Sequence, residues 1–358
     1  GLRFGFPSVS ERGSNMAKKI AVLGAGAWGT VIAKMLAENG HQISLWSYDR
    51  EAVQQINEEH QNKSFVPGVT LPDNIIASDD VQAVVRQAEA IVNVVIAKGL
   101  RDLLQQMPQG VENLPWLTAT KGLEPDTALR MSQIIIGLNK AKENRLAVLS
   151  GPNLAKEIAV ASPASSVIGA VNQETALYFQ ELLMRPYFRI YISPDPIGVE
   201  LGGALKNIIA LAAGICDGLK LGDNAKAALI ARGLAEISRL GCRLGADQET
   251  FAGLSGMGDL VATCASPQSR NRWCGEQLGL GRSLEEIVAS TKSIVEGVRT
   301  TTAVFQLAQQ LNLDLPITNA VFEILYEGKE ARQQVEQLMN RMAKPENSDL
   351  AMKKWRIE

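Results

Sequence analysis

The run Gly24-Ala25-Gly26-Ala27-Trp28-Gly29 limits what this chain can fold into more than any other feature, because of where it stands. It follows the short apolar segment 20–23 directly and precedes the helical pattern 30–38 directly. A strand, a tight glycine turn and a helix start, in that order, form the phosphate-binding corner of a dinucleotide fold. Gly24 permits the turn, Gly26 lets backbone approach a pyrophosphate, and Gly29 lets the helix pack closely on the strand. The first amides of the helix then offer unpaired donors and a partial positive charge. A chain with 31 glycines can produce such a run by chance, and the strand-turn-helix setting is what separates the two readings.

Short apolar runs alternate with helical patterns as far as residue 149, the rhythm of a parallel sheet covered by helices. Strands are predicted at 20–23, 43–46, 90–95, 116–119 and 146–149, several of them continuously apolar, as expected where both faces are buried. Two more follow at 166–170 and 188–191, around a helix near 173–184. After Pro194-Asp195-Pro196 strand signals stop and amphipathic helices take over. Helices are predicted at 196–215, 224–240, 248–254, 270–279, 283–289, 297–311 and 316–326. The fold class expected is therefore α/β, an N-terminal Rossmann-like doubly wound sheet followed by an all-α C-terminal domain. Its divisions are an extension or cloning remnant (1–15), a dinucleotide-binding domain (16–194), an all-helical substrate domain (195–345) and a C-terminal tail (346–358).

A net charge of −2 excludes a broad basic surface for nucleic acid, so any phosphorylated ligand must be held by a few placed residues. The longest apolar stretches fall short of the roughly 18 residues a membrane span needs, and no stable membrane insertion is expected. Four cysteines without Cys-x-x-Cys spacing suit a reducing cytoplasm and suggest no metal site. Only His41 and His60 are available as histidine acids or bases, and neither is poised at the sheet's carboxyl edge, which argues against a histidine-driven hydride transfer.

Cofactor choice stays open between NAD and NADP. An NAD site places an acidic residue near the end of the second strand; here that stretch is Trp46-Ser47-Tyr48-Asp49-Arg50, with Ser47 at the usual acidic position. Asp49 and Arg50 pull in opposite directions, or form a solvated loop pair.

Further along, Lys121 closely follows the strand 116–119, and Ser150-Gly151-Pro152-Asn153 follows 146–149. Both sit where open α/β sheets bind ligands, although a lone loop lysine is more often a surface charge. After Glu200, the segment 201–211 is apolar except where Lys206 and Asn207 interrupt it. An ammonium buried there has a lowered pKa, suited to proton exchange with a carbonyl, and the competing reading is a lysine that snorkels to solvent. Asp259 supplies a carboxylate after Gly256-Met257-Gly258. Ser269-Arg270-Asn271 opens a helix as either a phosphate clamp or an ordinary cap.

Together these motifs resemble the bacterial glycerol-3-phosphate dehydrogenase family, over residues 18 to 330. The stretches 197–200, 221–224, 232–236, 252–260 and 295–297 carry the likeness most closely. The resemblance implies NAD(P)-dependent interconversion of dihydroxyacetone phosphate and sn-glycerol 3-phosphate for glycerophospholipid synthesis, commonly by a cytoplasmic homodimer. It implies Lys206 as proton donor and acceptor, oriented with substrate by Lys121 and Asp259. Phosphate would be held by Ser269, Arg270 and Asn271, with Gly151, Asn153 and Asn207 lining the substrate site. Cofactor contacts would come from Gly24, Gly26, Ala27, Trp28, Gly29, Ser47, Tyr48, Lys121, Ala155, Arg270, Ile294 and Glu296.

The chain departs from the family's Val-Pro-Ser with Val95-Ile96-Ala97, which removes a rigid turn beside the nicotinamide. Tyr48 stands where a basic residue is common, and Asn153 where serine or threonine is. Two other readings remain open at this level: a 3-hydroxyacid dehydrogenase, whose carboxylate Arg270 could equally hold, and a nicotinamide-binding sensor without turnover.

Overall fold

The computed structural model of the chain describes residues 16–291, 295–343, 345–346 and 348–355. Eight strands form one sheet: β1 (Lys19–Leu23), β2 (Gln42–Trp46), β3 (Ile75–Ser78), β4 (Ala90–Asn93), β5 (Trp116–Thr118), β6 (Leu146–Ser150), β7 (Ala164–Ala170) and β8 (Phe188–Ser193). Their order is β3-β2-β1-β4-β5-β6-β7-β8. The first six pair in parallel; β7 pairs antiparallel with β6, and β8 parallel with β7. The chain therefore reverses direction across the sheet between β1 and β4, and the carboxyl ends of those two strands open the crevice where such sheets take ligands.

Every residue of β4, β5 and β6 is buried, which explains their unbroken apolar character. One core covers one face, under the helices Ala27–Glu38 and Gln173–Leu183, and a second covers the other, under Leu100–Gln106 and Met131–Gly137. The seven strands expected from the sequence are present. β3 was not expected, because it is a four-residue edge strand with Ile76 66% exposed, too short and too wet to stand out of a polar loop.

From Pro196 onward the described residues are helical, around a third core built on the helix Pro196–Gly218. This helix is longer than the apolar runs suggested, and its length and mean hydropathy of 1.5 would suffice to cross a membrane, yet that stretch is wholly buried inside the protein. The helix Arg270–Gly279 crosses it at backbone contact. β-Carbons at Gly214 and Gly218 would lie 1.9 and 2.4 Å from carbonyl oxygens of the crossing helix, and those at Gly275 and Gly279 would lie 1.9 and 2.6 Å from carbonyl oxygens of the core helix. Only glycine permits that approach, and it carries the start of the crossing helix up to Asn207. Two helices were not anticipated, Asp259–Ala265 and Ala331–Met339; a third, Ser348–Trp355, lies in the segment read as a tail.

Candidate active site

The glycine corner is built as the sequence requires. Gly24 has φ +114, and a β-carbon there would lie 2.9 Å from the Val94 carbonyl oxygen. At Gly29 a β-carbon would lie 1.8 Å from the Gly24 carbonyl oxygen, whereas at Gly26 it would meet nothing within 4 Å. Two glycines thus close the turn, and the third faces open space at the head of the helix Ala27–Glu38. No side chain caps that helix start and no acidic residue stands in its first turn. Its amides and partial positive charge are left for an anion, so these residues fit a dinucleotide pyrophosphate. Trp28 and Ala155 both pack, half-buried, against the core beside this corner.

At the end of β2 the reading is less favourable to a polar ribose clamp. The Asp49 carboxylate caps the next helix through the Glu51 and Ala52 amides, and Ser47 is buried with its hydroxyl accepting from the Asp49 amide at 3.1 Å. Arg50 pairs with Asp79 at 2.8 Å on the surface, and Tyr48 is exposed. Asp49 and Arg50 therefore do not pair with each other: one caps a helix and the other binds Asp79.

Lys206 is buried. Its Nζ donates to the Asp259 carboxylate and, at 2.6 Å, to Thr263 Oγ1. Lys121 Nζ donates to the other Asp259 oxygen and to the Gly151 carbonyl, both at 2.8 Å. One carboxylate therefore bridges two ammonium groups brought from different halves of the chain. Burial pushes the Lys206 pKa down to about 8; the Asp259 charge pulls it up and the Lys121 charge pushes it further down. The snorkelling alternative is excluded by this geometry.

Local chain geometry places Asp259. The turn Leu254–Gly258 is wound wider than an α-helix before the helix Asp259–Ala265 begins. It can lie against the core helix because a β-carbon at Gly202 would fall 2.5 Å from the Ser255 carbonyl oxygen. Thr263 was not singled out from the sequence. Its signal is the spacing of four from Asp259, which sets both side chains on one helix face.

On the other side of Lys206, Asn271 Nδ2 donates to Asn207 Oδ1 at 3.0 Å, and Asn271 Oδ1 accepts from the Gly297 amide at 2.8 Å. Ser269 caps its helix by accepting from the Arg272 amide at 3.1 Å. Arg270, the first residue of that helix, is exposed. Burial raises the Glu296 pKa, with Arg299 and Arg270 opposing. A β-carbon at Gly122 would lie 3.5 Å from Glu296 Oε2 and 3.3 Å from the Ala97 β-carbon, so these residues meet at the carboxyl ends of β4 and β5. Ile294 lies outside the described residues.

The loop after β6 brings Gly151 to Lys121, while Asn153 accepts a hydrogen bond from the Ser166 hydroxyl. A solvent-open cleft of about 470 Å³ is lined by Pro152, Leu154, Tyr187 and Arg189, and by none of the Lys121, Lys206 and Asp259 cluster.

The turn that lacks proline keeps a proline-like shape. Ile96 has φ −55 and ψ 145, within the range a proline ring imposes. Buried Asn93 holds it: its side chain donates to Thr118 and Thr120 hydroxyls at 3.0 and 3.2 Å and accepts from the Val95 amide, and Thr120 donates to the Val95 carbonyl at 2.6 Å. Ile96→Pro is therefore expected to raise stability by about 0.4–1 kcal/mol by restricting the unfolded chain. A denaturant midpoint that falls in this variant would show that the site does not accept the ring.

Family descriptions match both halves: the NAD-dependent glycerol-3-phosphate dehydrogenase N-terminus over residues 19–176, and its C-terminus over 195–336. A glycerol-3-phosphate dehydrogenase [NAD(P)+] of Bacillus pumilus is 47% identical over 335 residues, covering 93% of this chain and 97% of the relative. That of Geobacillus thermodenitrificans is also 47% identical, covering 93% and 98%. Among solved structures, glycerol-3-phosphate dehydrogenase from Coxiella burnetii superposes with a TM-score of 0.85 at 37% identity, covering 91% of this chain and 99% of that one.

Proposed function

The chain belongs to the NAD-dependent glycerol-3-phosphate dehydrogenase family, and from that premise we propose how its residues divide the work. The enzyme interconverts dihydroxyacetone phosphate and sn-glycerol 3-phosphate with NAD(P). The observation that carries the residue assignment is the buried Lys206 ammonium, poised near pH 8 and bonded to Asp259.

In this reading Gly24, Gly26 and Gly29 form the corner that holds the dinucleotide, with Ala27, Trp28, Ser47, Tyr48, Ala155 and Glu296 as further cofactor contacts. When bound, the reduced nicotinamide supplies a hydride to the ketone carbon. As that carbon is reduced, Lys206 Nζ gives a proton to the ketone oxygen; in the reverse direction the neutral amine takes the proton from the hydroxyl. Asp259 fixes the position of Lys206 and keeps it charged, and Thr263 orients it through the second bond. Lys121 holds the Gly151 loop in place and lowers the proton affinity of Lys206. Arg270, with Ser269, Asn271 and Asn207, receives the phosphate, and Gly151 with Asn153 closes the opposite side of the site.

The same reading divides the chain at 194/195 into dinucleotide and substrate domains, and includes a homodimer in the cytoplasm serving glycerophospholipid synthesis; family resemblance supports these.

The test is an initial-rate assay of NADH and NADPH oxidation with dihydroxyacetone phosphate, dihydroxyacetone and small keto acids. Arg270→Ala is expected to raise KM for the phosphorylated ketone about 10²-fold, the value of one or two charge-assisted hydrogen bonds. At saturating cofactor, the unphosphorylated ketone should be turned over equally by both proteins. Equal loss on both ketones, or preferred turnover of keto acids, would overturn the assignment.

A further inference from the structure

The loop between the helix Arg50–Glu59 and β3 has no part in the reading above, yet it reaches the glycine corner. His60 ends that helix in the left-handed region at φ 53, and its carbonyl accepts from the Leu71 amide at 2.8 Å. The excursion is thereby closed at its base, the construction of a compact Ω-loop. Within it Val66 and Leu71, both buried, sink into the core that carries Ile32 and Leu36 of the helix Ala27–Glu38. The Asn62 carbonyl accepts from the Val66 amide at 2.8 Å and the Phe65 amide at 3.3 Å, which fixes the backbone of Asn62 itself.

Asn62 is fully buried, and its side chain points at the dinucleotide turn. Its Nδ2 donates to the Ala25 carbonyl at 2.8 Å and to Thr30 Oγ1 at 2.9 Å, and the Thr30 hydroxyl donates to the same Ala25 carbonyl at 3.2 Å. Asn62 Oδ1 has no partner among the described residues, so the side-chain bonds of this amide all go to the corner. Ala25 lies between Gly24 and Gly26, and Thr30 lies in the first turn of the helix whose amides face the open side of Gly26. One amide thus ties the turn to the helix start at the corner where the pyrophosphate belongs.

We propose that Asn62 is a positioning residue for the cofactor: it holds Ala25 and Thr30 so that the Gly26 face and the helix-start amides are set before the dinucleotide arrives. This rests on the dinucleotide reading of the glycine corner. Preorganisation lowers the ordering cost of binding, so its loss is read in affinity for anything that carries the diphosphate.

The experiment measures binding of NADH by energy transfer from tryptophan to the dihydronicotinamide, with ADP-ribose and adenosine as competitors. Asn62→Ala is expected to raise Kd for NADH and ADP-ribose alike, by about tenfold, and to leave adenosine, which has no diphosphate, unchanged. The KM for the ketone at saturating NADH should not move. Thr30→Val, which keeps side-chain shape and the Asn62–Ala25 bond but removes both bonds of the Thr30 hydroxyl, should weaken the two diphosphate ligands by about threefold and supplies the same ranking should Asn62→Ala fail to fold. Unchanged NADH affinity in Asn62→Ala overturns the proposal. So does equal weakening of all three ligands, which would mean the loop supports the domain as a whole. Absence of NADH binding to the unaltered protein would instead remove the dinucleotide reading on which the proposal stands.

Discussion

Lys206→Ala lowers kcat for reduction of dihydroxyacetone phosphate on the order of 10²- to 10⁴-fold, the usual contribution of a placed general acid, with NADH affinity unchanged. The physical reason is that, among the described residues, no other proton donor sits where Lys206 does. Lys121 is tied to Gly151 and Asp259, and the described residues place His41 beside the Lys18 amide at the far end of the sheet. The pH dependence follows from the shifted pKa. Reduction needs the ammonium, so its rate falls as pH rises through about 8; oxidation needs the neutral amine and rises through the same point. Lys121→Met, which removes the like charge that pushes Lys206 down, should carry that inflection to higher pH. A Lys206→Ala protein that retained its rate, or a reduction rate flat from pH 6 to about 10, would remove Lys206 from the chemistry.

How much of this was legible in the chain depends on the range of the interaction. The glycine turn, the apolar strands and the interrupted helix around Lys206 are local patterns, and each stands in the structure where its pattern places it. What could not be read were pairings made by tertiary approach. Thr263 is an ordinary threonine until Gly202 lets the wide turn at 254–258 settle on the core helix and aim Asp259 at Lys206. Asn62 is one polar residue in a polar stretch, and only the closure of its loop shows that it serves a turn 37 residues earlier. The missing proline near Val95 suggested a loosened turn. Instead Asn93, read from the sequence as one more strand residue, makes the bonds that keep Ile96 in a proline-like conformation. Glycines at 214, 218, 275 and 279 carried a signal that was present and unread, a spacing of four on two helices that marks a backbone-close crossing.

Asp259→Asn should be the most destabilising change in the site, because it removes the one anion shared by two buried or half-buried ammonium groups. Breaking a buried ion pair from one side typically costs about 3–5 kcal/mol, since the remaining charge is left uncompensated. Here two are left. The sign of the pH dependence distinguishes this from lost packing. Lys206 already titrates in the folded protein at about 8, below its ordinary 10.5, so the unfolded chain binds more protons between those values and stability rises with pH across them. Without Asp259 the attraction that opposes burial is gone, and the folded-state pKa of Lys206 moves lower still. The variant's deficit should therefore be larger near neutrality than at higher pH, the gap shrinking as pH rises through about 8, where Lys206 of the unaltered protein loses its own proton. Denaturant midpoints across that range measure it directly, and the reduction rate gives a second readout, its inflection moving to lower pH. A stability gap of constant size at every pH would mean that Asp259 acts through shape and hydrogen bonding alone, and that the two lysines do not depend on its charge.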